Sequence, residues 1–491
     1  MKSKLIYTIT IVFIIGICVG LYQLNVENKS IRVHQHREKQ WQAANDEESE
    51  EFKTHLPIVS ISTGGQKVPG TPIVENGETV GYETAADELP RITASFSVID
   101  QQKGVNNITD KPTLSSLAEI SYRGNSSRFF DKKSYSIHLV LEDGTENKKG
   151  IAGMEPHDEW VLNGPFLDRT LMRNYVALNI SGEIMDYAPN VRYCEMFLDG
   201  KYQGLYLLME SVSRGEGRIN IKKPDKNSTL TSYIVLWDRE GKGNKELDNY
   251  AYYTYRSGIA ALDVRYPGIN LITEERKKYI EKDISKMEKV LYSYDLTDEK
   301  KGYTKYIDLN SFAEYFVINE LFRNVDAGHY STFYYKDVRG KLKPCVWDFN
   351  NGGDNYMENA WNEAGFTMIN SPLFNALIKD EKFVTAVIKR YKELRKEVLS
   401  EAYLLNYIDE TNQWLGSSVD RNYKVWGYVF DLSNYNHMNY LTPVERNYTS
   451  YEQSVKQLKN FLVARGNWLD EHIDTLYQYS HESKNINDLV K

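Results

Sequence analysis

Residues 311–355 read SFAEYFVINELFRNVDAGHYSTFYYKDVRGKLKPCVWDFNNGGDN. Ser311 followed three positions later by Glu314 has the spacing of a capping box, which predicts a helix start. Tyr315, Ile318, Phe322 and Val325 step by three and four, so one helical face is apolar and should be buried. A polar loop then presents Asp326. Thr332 to Lys336 is rich in aromatic residues and predicts a strand, residues 338–341 a turn, and Leu342 to Trp347 a returning strand. Asp348 stands at the end of that strand, followed by NNGGDN. Two carboxylates, Asp326 and Asp348, therefore meet at one end of a helix–hairpin unit. Such a pair can divide labour, one orienting or deprotonating a hydroxyl while the other holds a divalent cation. The plainer reading is that Asp326 caps the hairpin and Asp348 begins a turn.

The order helix, loop with Asp, hairpin, second Asp also occurs in protein kinases, where the second Asp heads a D-F-G segment. Here that segment is Asp348-Phe349-Asn350. The surrounding chain can carry such a site. Its 491 residues suffice for two or three domains. With 41% hydrophobic and 26% charged residues it can bury a sizeable core. A net charge of −8 argues against a general nucleic-acid binder, because nothing concentrates positive charge for a phosphate backbone. The three cysteines, Cys18, Cys194 and Cys345, lack disulfide or metal spacing, and the 9 histidines show no H-E-x-x-H pattern.

Leu5 to Leu21 is almost continuously apolar, follows Lys2 and Lys4, and is about long enough to cross a bilayer. No A-x-A cleavage site follows, so an uncleaved signal anchor over residues 1–25 is favoured over a signal peptide. The leading lysines place the bulk of the protein outside the cytoplasm. Lys29, Arg32, Arg37 and Lys39 on the far side weaken that bias. Residues 26–54 are polar and read as a linker.

Alternating runs predict strands at 55–62 and 91–98, and again on both sides of Gly124-Asn125-Ser126-Ser127 within 118–141. Arg123 and Lys133 flank that short loop and suit a phosphate; an ordinary turn with solvated basic residues is the plainer reading. A helix is expected from Asp168, with Leu171, Tyr175, Leu178 and Gly182 on one face. Asp199-Gly200 between alternating runs predicts a hairpin over 191–210, ending at Glu210. Later helices are expected at 273–294, within 372–405, and at 451–476. Residues 55–212 thus form a strand-rich lobe and 213–480 a mostly helical one carrying both acidic loops.

The segments SYRGNSSRFFDKKSYSIHL (121–139), FLDRTLMRN (166–174), GLYLLME (204–210), NVDAGHYSTFYYKD (324–337) and VWDFN (346–350) together resemble the CotH family, the spore-coat-protein-H type of atypical protein kinases. That resemblance implies an α+β, two-lobed, protein-kinase-like fold that binds ATP with Mg2+ (or Mn2+). It also implies phosphoryl transfer to Ser or Thr of a protein partner, a spore coat or cell-surface protein. By the resemblance Asp326 orients the acceptor hydroxyl and Asp348 binds the metal. Lys133, or Lys132 by a shift of one register, steadies the phosphates; Arg123 lies near them, and Glu210 falls at the inter-lobe hinge near the adenine. Glu183 is the candidate acid to pair with Lys133. Two positions depart from the pattern: Ser331 stands where many kinases have a metal-binding Asn, and Asn350 where the family has a second acid. These departures keep a second reading open, a nucleotide-binding pseudokinase acting as a membrane-tethered scaffold or surface assembly module. A metal-dependent hydrolase using the same carboxylates is a third.

Overall fold

The computed structural model describes residues 32–38, 52–101, 104–239, 246–251, 260–436 and 438–481. Seven strands of the first half close into a barrel: β1 (Ile58–Ser62), β2 (Ile92–Ile99), β3 (Leu114–Tyr122), β4 (Tyr135–Val140), β5 (Glu159–Asn163), β6 (Val191–Leu198) and β7 (Lys201–Glu210). Their order is β6-β7-β5-β4-β3-β2-β1, antiparallel throughout, and a parallel β1–β6 pairing closes the ring. The β6–β7 hairpin turns at Asp199 and Gly200, both at positive φ (48° and 74°), which is what an Asp-Gly hairpin turn requires.

Side chains of β7 alternate between two cores. Tyr206 and Leu208 fill the barrel, while Leu205, Leu207 and Met209 face the helices. Burial on both faces explains why GLYLLME is a continuous apolar run. A second sheet follows: β8 (Tyr233–Arg239), β9 (Ala260–Tyr266), β10 (Thr332–Lys336) and β11 (Lys343–Cys345), ordered β9-β8-β10-β11 and antiparallel. The longer helices are α1 (Arg173–Ile184), α2 (Glu274–Leu291), α3 (Leu309–Phe322), α4 (Glu381–Leu394), α5 (Glu401–Leu415), α6 (Ser417–Trp426) and α7 (Tyr451–His472). The fold is mixed α+β, as expected, and the described residues belong to one compact unit.

Two helix starts differ from expectation. Asp308, not Ser311, caps α3: its carboxylate accepts the Ser311 N–H (2.9 Å), so Ser311 lies inside the first turn. Helix α1 begins at Arg173 instead of Asp168. The Asp168 carboxylate instead folds a turn ahead of it, accepting the N–H groups of Thr170 (3.1 Å) and Arg173 (2.8 Å). Both helices are also buried nearly all round, where a single apolar face was expected, because each runs through the main core. The stripe Ile280, Ile284, Met287, Leu291 of α2 is buried as its periodicity required. Cys194 and Cys345 are buried free thiols. Among the described residues no helix is long and apolar enough to cross a membrane; the Leu5–Leu21 run lies outside the described residues.

Candidate functional site

Helix α3 ends at Arg323, whose left-handed backbone (φ 46°) turns the chain into the Asp326 loop. Asn324, almost fully buried, then ties the two acidic loops together. Its Nδ2 donates to Asn319 Oδ1 and to the Asp348 carbonyl, both at 3.2 Å. The Asp326 carbonyl accepts the N–H groups of His329 (3.0 Å) and Tyr330 (2.7 Å), which makes the loop a tight turn. Gly328 is needed within it: φ is +79°, and a Cβ would sit 2.5 Å from Ser371 Cβ. The buried Asp326 carboxylate accepts from Asn351 Nδ2 at 2.5 Å.

Asp348 also has a positive φ (52°), a conformation that costs a non-glycine residue about 1–3 kcal/mol and persists only where neighbours enforce it. They do. Asn174 of α1 accepts the Phe349 N–H (2.7 Å) and donates to Asn350 Oδ1 (3.0 Å). Arg173 donates to the Gly352 carbonyl (2.9 Å) and the Gly353 carbonyl (3.2 Å). The Asn350 N–H in turn approaches Asp348 Oδ1 at 3.3 Å.

Charges from two other segments converge on this pair. Arg123, just past β3, lies over the Trp347 ring at 5.3 Å; burial lowers its proton affinity, which the Asp348 and Asp238 carboxylates partly oppose. Asp238 and Arg239 come from the end of β8, which the register Trp237↔Thr332 sets beside the start of β10. The Arg239 guanidinium stacks on the Tyr330 ring at 4.0 Å and favours an ionised Asp326. The Asp326 carboxyl is pushed up to about 6, by burial first and then by Asp348, against Arg239 and the Asn351 hydrogen bond. Burial also raises Asp348, which Asp238 reinforces and Arg123 opposes. Carboxylates that hold protons so readily would be relieved by a divalent cation. The donors here are hard oxygens, the type that Mg2+ takes. Asn324 Oδ1, buried and without a hydrogen-bond partner, adds one more oxygen beside these loops.

Of the residues expected at the site, Asp326, Asp348 and Arg123 come together. Lys133 and Glu210 do not join them. The Lys133 ammonium donates to the Arg128 carbonyl (2.7 Å) within its own loop. Lys132 is buried, donating to the Leu205 carbonyl (2.6 Å) and Asn422 Oδ1 (2.8 Å), and burial pushes its ammonium down to about 7. The Glu210 carboxylate is fully buried and accepts from the Asn190 N–H (2.8 Å), Asn190 Nδ2 (3.1 Å) and the Tyr187 hydroxyl (3.2 Å). Glu183 accepts from the Tyr403 hydroxyl (2.6 Å), with no contact to Lys133. Sequence reading missed Asp238, Arg239, Asn174 and Asn351. Asp238 and Arg239 close the strand β8 on its polar end, beyond the apolar run Tyr233–Trp237 that marks it in the sequence.

Comparison with known proteins places this site in a family. Residues 120–469 match the family model described as CotH kinase protein, a span that takes in every site residue above. The chain is also 25% identical over 301 residues to the Inner spore coat protein H of Bacillus subtilis (strain 168), covering 59% of this chain and 73% of that protein.

Proposed function

The chain belongs to the CotH kinase protein family, and from that premise we propose that it transfers phosphate from ATP to Ser or Thr of a protein partner, with Mg2+ (or Mn2+). The observation that carries the reading is the convergence of Asp326 and Asp348 under Arg123, with the acid pair raised in proton affinity by burial. In this reading the barrel and the helix-backed second sheet act as the two lobes of an atypical kinase fold.

Asp348, with Asp238 nearby, would hold the cation, and Arg123 would face the phosphates. When bound, the metal–nucleotide complex supplies the phosphoryl group and neutralises its charge. Asp326 is held by Asn351 and, once ionised, orients the acceptor hydroxyl. Lys133 would serve the phosphates only after leaving the Arg128 carbonyl, so its expected role passes to Arg123. Glu210 would reach an adenine only by giving up its buried partners. The acceptor we propose is a spore coat or cell-surface protein, by extension from the name of the Bacillus relative, with residues 5–21 anchoring the chain in a membrane and its bulk outside the cytoplasm.

One observation favours the second reading, a nucleotide-binding pseudokinase serving as scaffold. Asn350 replaces an acid, and its side-chain oxygen is taken by Asn174. Incubation with γ-labelled ATP, with and without Mg2+, separates the two. Labelled autophosphorylation or transfer to spore or lysate proteins, abolished by Asp326→Asn, supports the enzyme. Binding of ATP and metal without transfer supports the scaffold, and absence of nucleotide binding removes both.

A further inference from the structure

Residues Arg32–Arg37 (RVHQHR) lie ahead of the segment that matches the family model and inside the stretch read as a polar linker. They pack into a groove formed by α1, α5 and the first half of β6. Gln35 is fully buried; its side chain accepts the Tyr193 N–H (2.7 Å) and donates to the Tyr193 carbonyl (3.2 Å). β1 pairs with β6 only from Glu195 onward, so at Tyr193 this edge of β6 has no strand beside it. The Gln35 amide replaces that missing strand and satisfies two backbone groups that burial would otherwise orphan.

The flanking residues bind as specifically. Arg32 donates to the Pro189 carbonyl (3.0 Å) and the Ala188 carbonyl. It packs so closely on Gly182 of α1 that a Cβ there would lie 2.0 Å from the guanidinium. Arg192 donates to the Val33 carbonyl at 3.0 Å. His34 Nδ1 bonds the Tyr407 hydroxyl (2.8 Å), and His36 Nδ1 bonds the Tyr175 hydroxyl (2.9 Å). Arg37 donates to Glu410 (2.9 Å) and to the Tyr403 hydroxyl (3.1 Å).

Tyr175 and Gly182 are on α1, whose first turn carries the side chains of Arg173 and Asn174 that brace the Asp348 loop. We infer that Arg32–Arg37 is an intramolecular ligand of this groove, and that its docking fixes α1 and thereby the backbone of the loop bearing Asp348. The coupling runs through packed, hydrogen-bonded residues from one side of α1 to the other. It rests on these contacts and does not require phosphoryl transfer.

The test is hydrogen exchange on the full chain carrying Gln35→Ala, read at the backbone amides of Phe349, Gly352 and Gly353. Exchange there should rise about tenfold or more, while amides of α2, remote from the groove, keep wild-type rates. A rise confined to α1 and α5, with 349–353 unchanged, would overturn the coupling. If α2 also loosens, the variant is globally unfolding, and the milder Arg37→Ala decides by the same two outcomes. A protease site placed between residues 39 and 51 and cut after folding tests the ligand claim itself. The released N-terminal piece should remain bound through gel filtration, and should dissociate when Gln35→Ala is present. Immediate dissociation of the wild-type piece overturns it.

Discussion

At the scale of single residues, Asp326 and Asp348 should separate by their failures. On the proposed kinase reading, Asp348→Ala should weaken metal-dependent nucleotide binding together with turnover, because the cation would lose its main protein ligand. Asp326→Asn should leave binding nearly intact and lower transfer by about 10²-fold or more, as for a lost orienting group. Titration calorimetry with ATP and Mg2+ beside a transfer assay checks this; equal, wild-type-like activity in both variants would remove the kinase role of the pair. Asp326 also has a pH signature. Its carboxyl is raised to about 6 in the fold, against about 3.9 for an unperturbed Asp. Between those values the unfolded chain has released the proton and the native one keeps it. The Asp326 contribution to stability is therefore fully present below about pH 4 and lost as pH rises through 6. Relative to Asp326→Asn, the wild type should lose melting temperature over that window and run parallel above it, while transfer rises through pH 6 as the carboxylate forms. Two melting curves parallel from pH 4 to 7 would mean that burial does not perturb Asp326.

At the scale of elements, periodicity located α2, α4, α7 and strands such as β2 because each has one face in a core and one toward solvent. It misjudged α1 and α3, which lie inside the core and whose polar residues pair internally instead of marking a solvent face. In α3, Glu320 receives the Thr367 (2.8 Å) and Met368 (2.6 Å) N–H groups and an ion pair from Arg465 of α7 at 2.6 Å, with both charged groups almost fully buried. Removing one partner of such a pair leaves a buried charge, so Arg465→Ala should cost about 3–5 kcal/mol. Combining Arg465→Met with Glu320→Gln should recover much of the loss, because the uncompensated charge is gone. Urea midpoints for the wild type and both variants decide it. A loss under 1 kcal/mol for Arg465→Ala would mean that water or another cation reaches Glu320. The same local logic shows why Asp326 and Asp348 were legible and Asp238 was not. The first two end elements adjacent in sequence, whereas Asp238 reaches them through a strand pairing between residues about a hundred positions apart.

At the scale of the whole molecule, sequence order suggested a strand-rich half followed by a helix-rich half; the barrel falls in the first, while the four-stranded second sheet stands among the helices of the second. Contacts that close the structure do not. Helix α6, from the C-terminal half, packs on β7 of the barrel, and Asn422 within it is buried. Asn422 Oδ1 accepts from both the Lys132 ammonium (2.8 Å) and the Leu205 N–H (3.1 Å). Arg421 pairs with the fully buried Glu195 of β6 at 2.7 Å, and Trp426 donates to the Gln203 carbonyl at 2.7 Å. Lys132 is already pushed down to about 7 by burial, so a barrel without α6 would leave its ammonium with the Leu205 carbonyl alone of its two acceptors. Helix α6 therefore ties the barrel to the C-terminal half through buried bonds, and the described residues should unfold in one cooperative transition. Asn422→Ala should lower the stability by about 1.5–3 kcal/mol, the range for a lost hydrogen bond to a charged group. The loss should appear equally in exchange-protected amides of β4 in the barrel and of α3 in the helical core. Calorimetry of the wild type should show a single transition whose van't Hoff and calorimetric enthalpies agree. Two resolved transitions, or an Asn422→Ala effect confined to β4, would show that the barrel is an independent folding unit and that α6 is only laid against it.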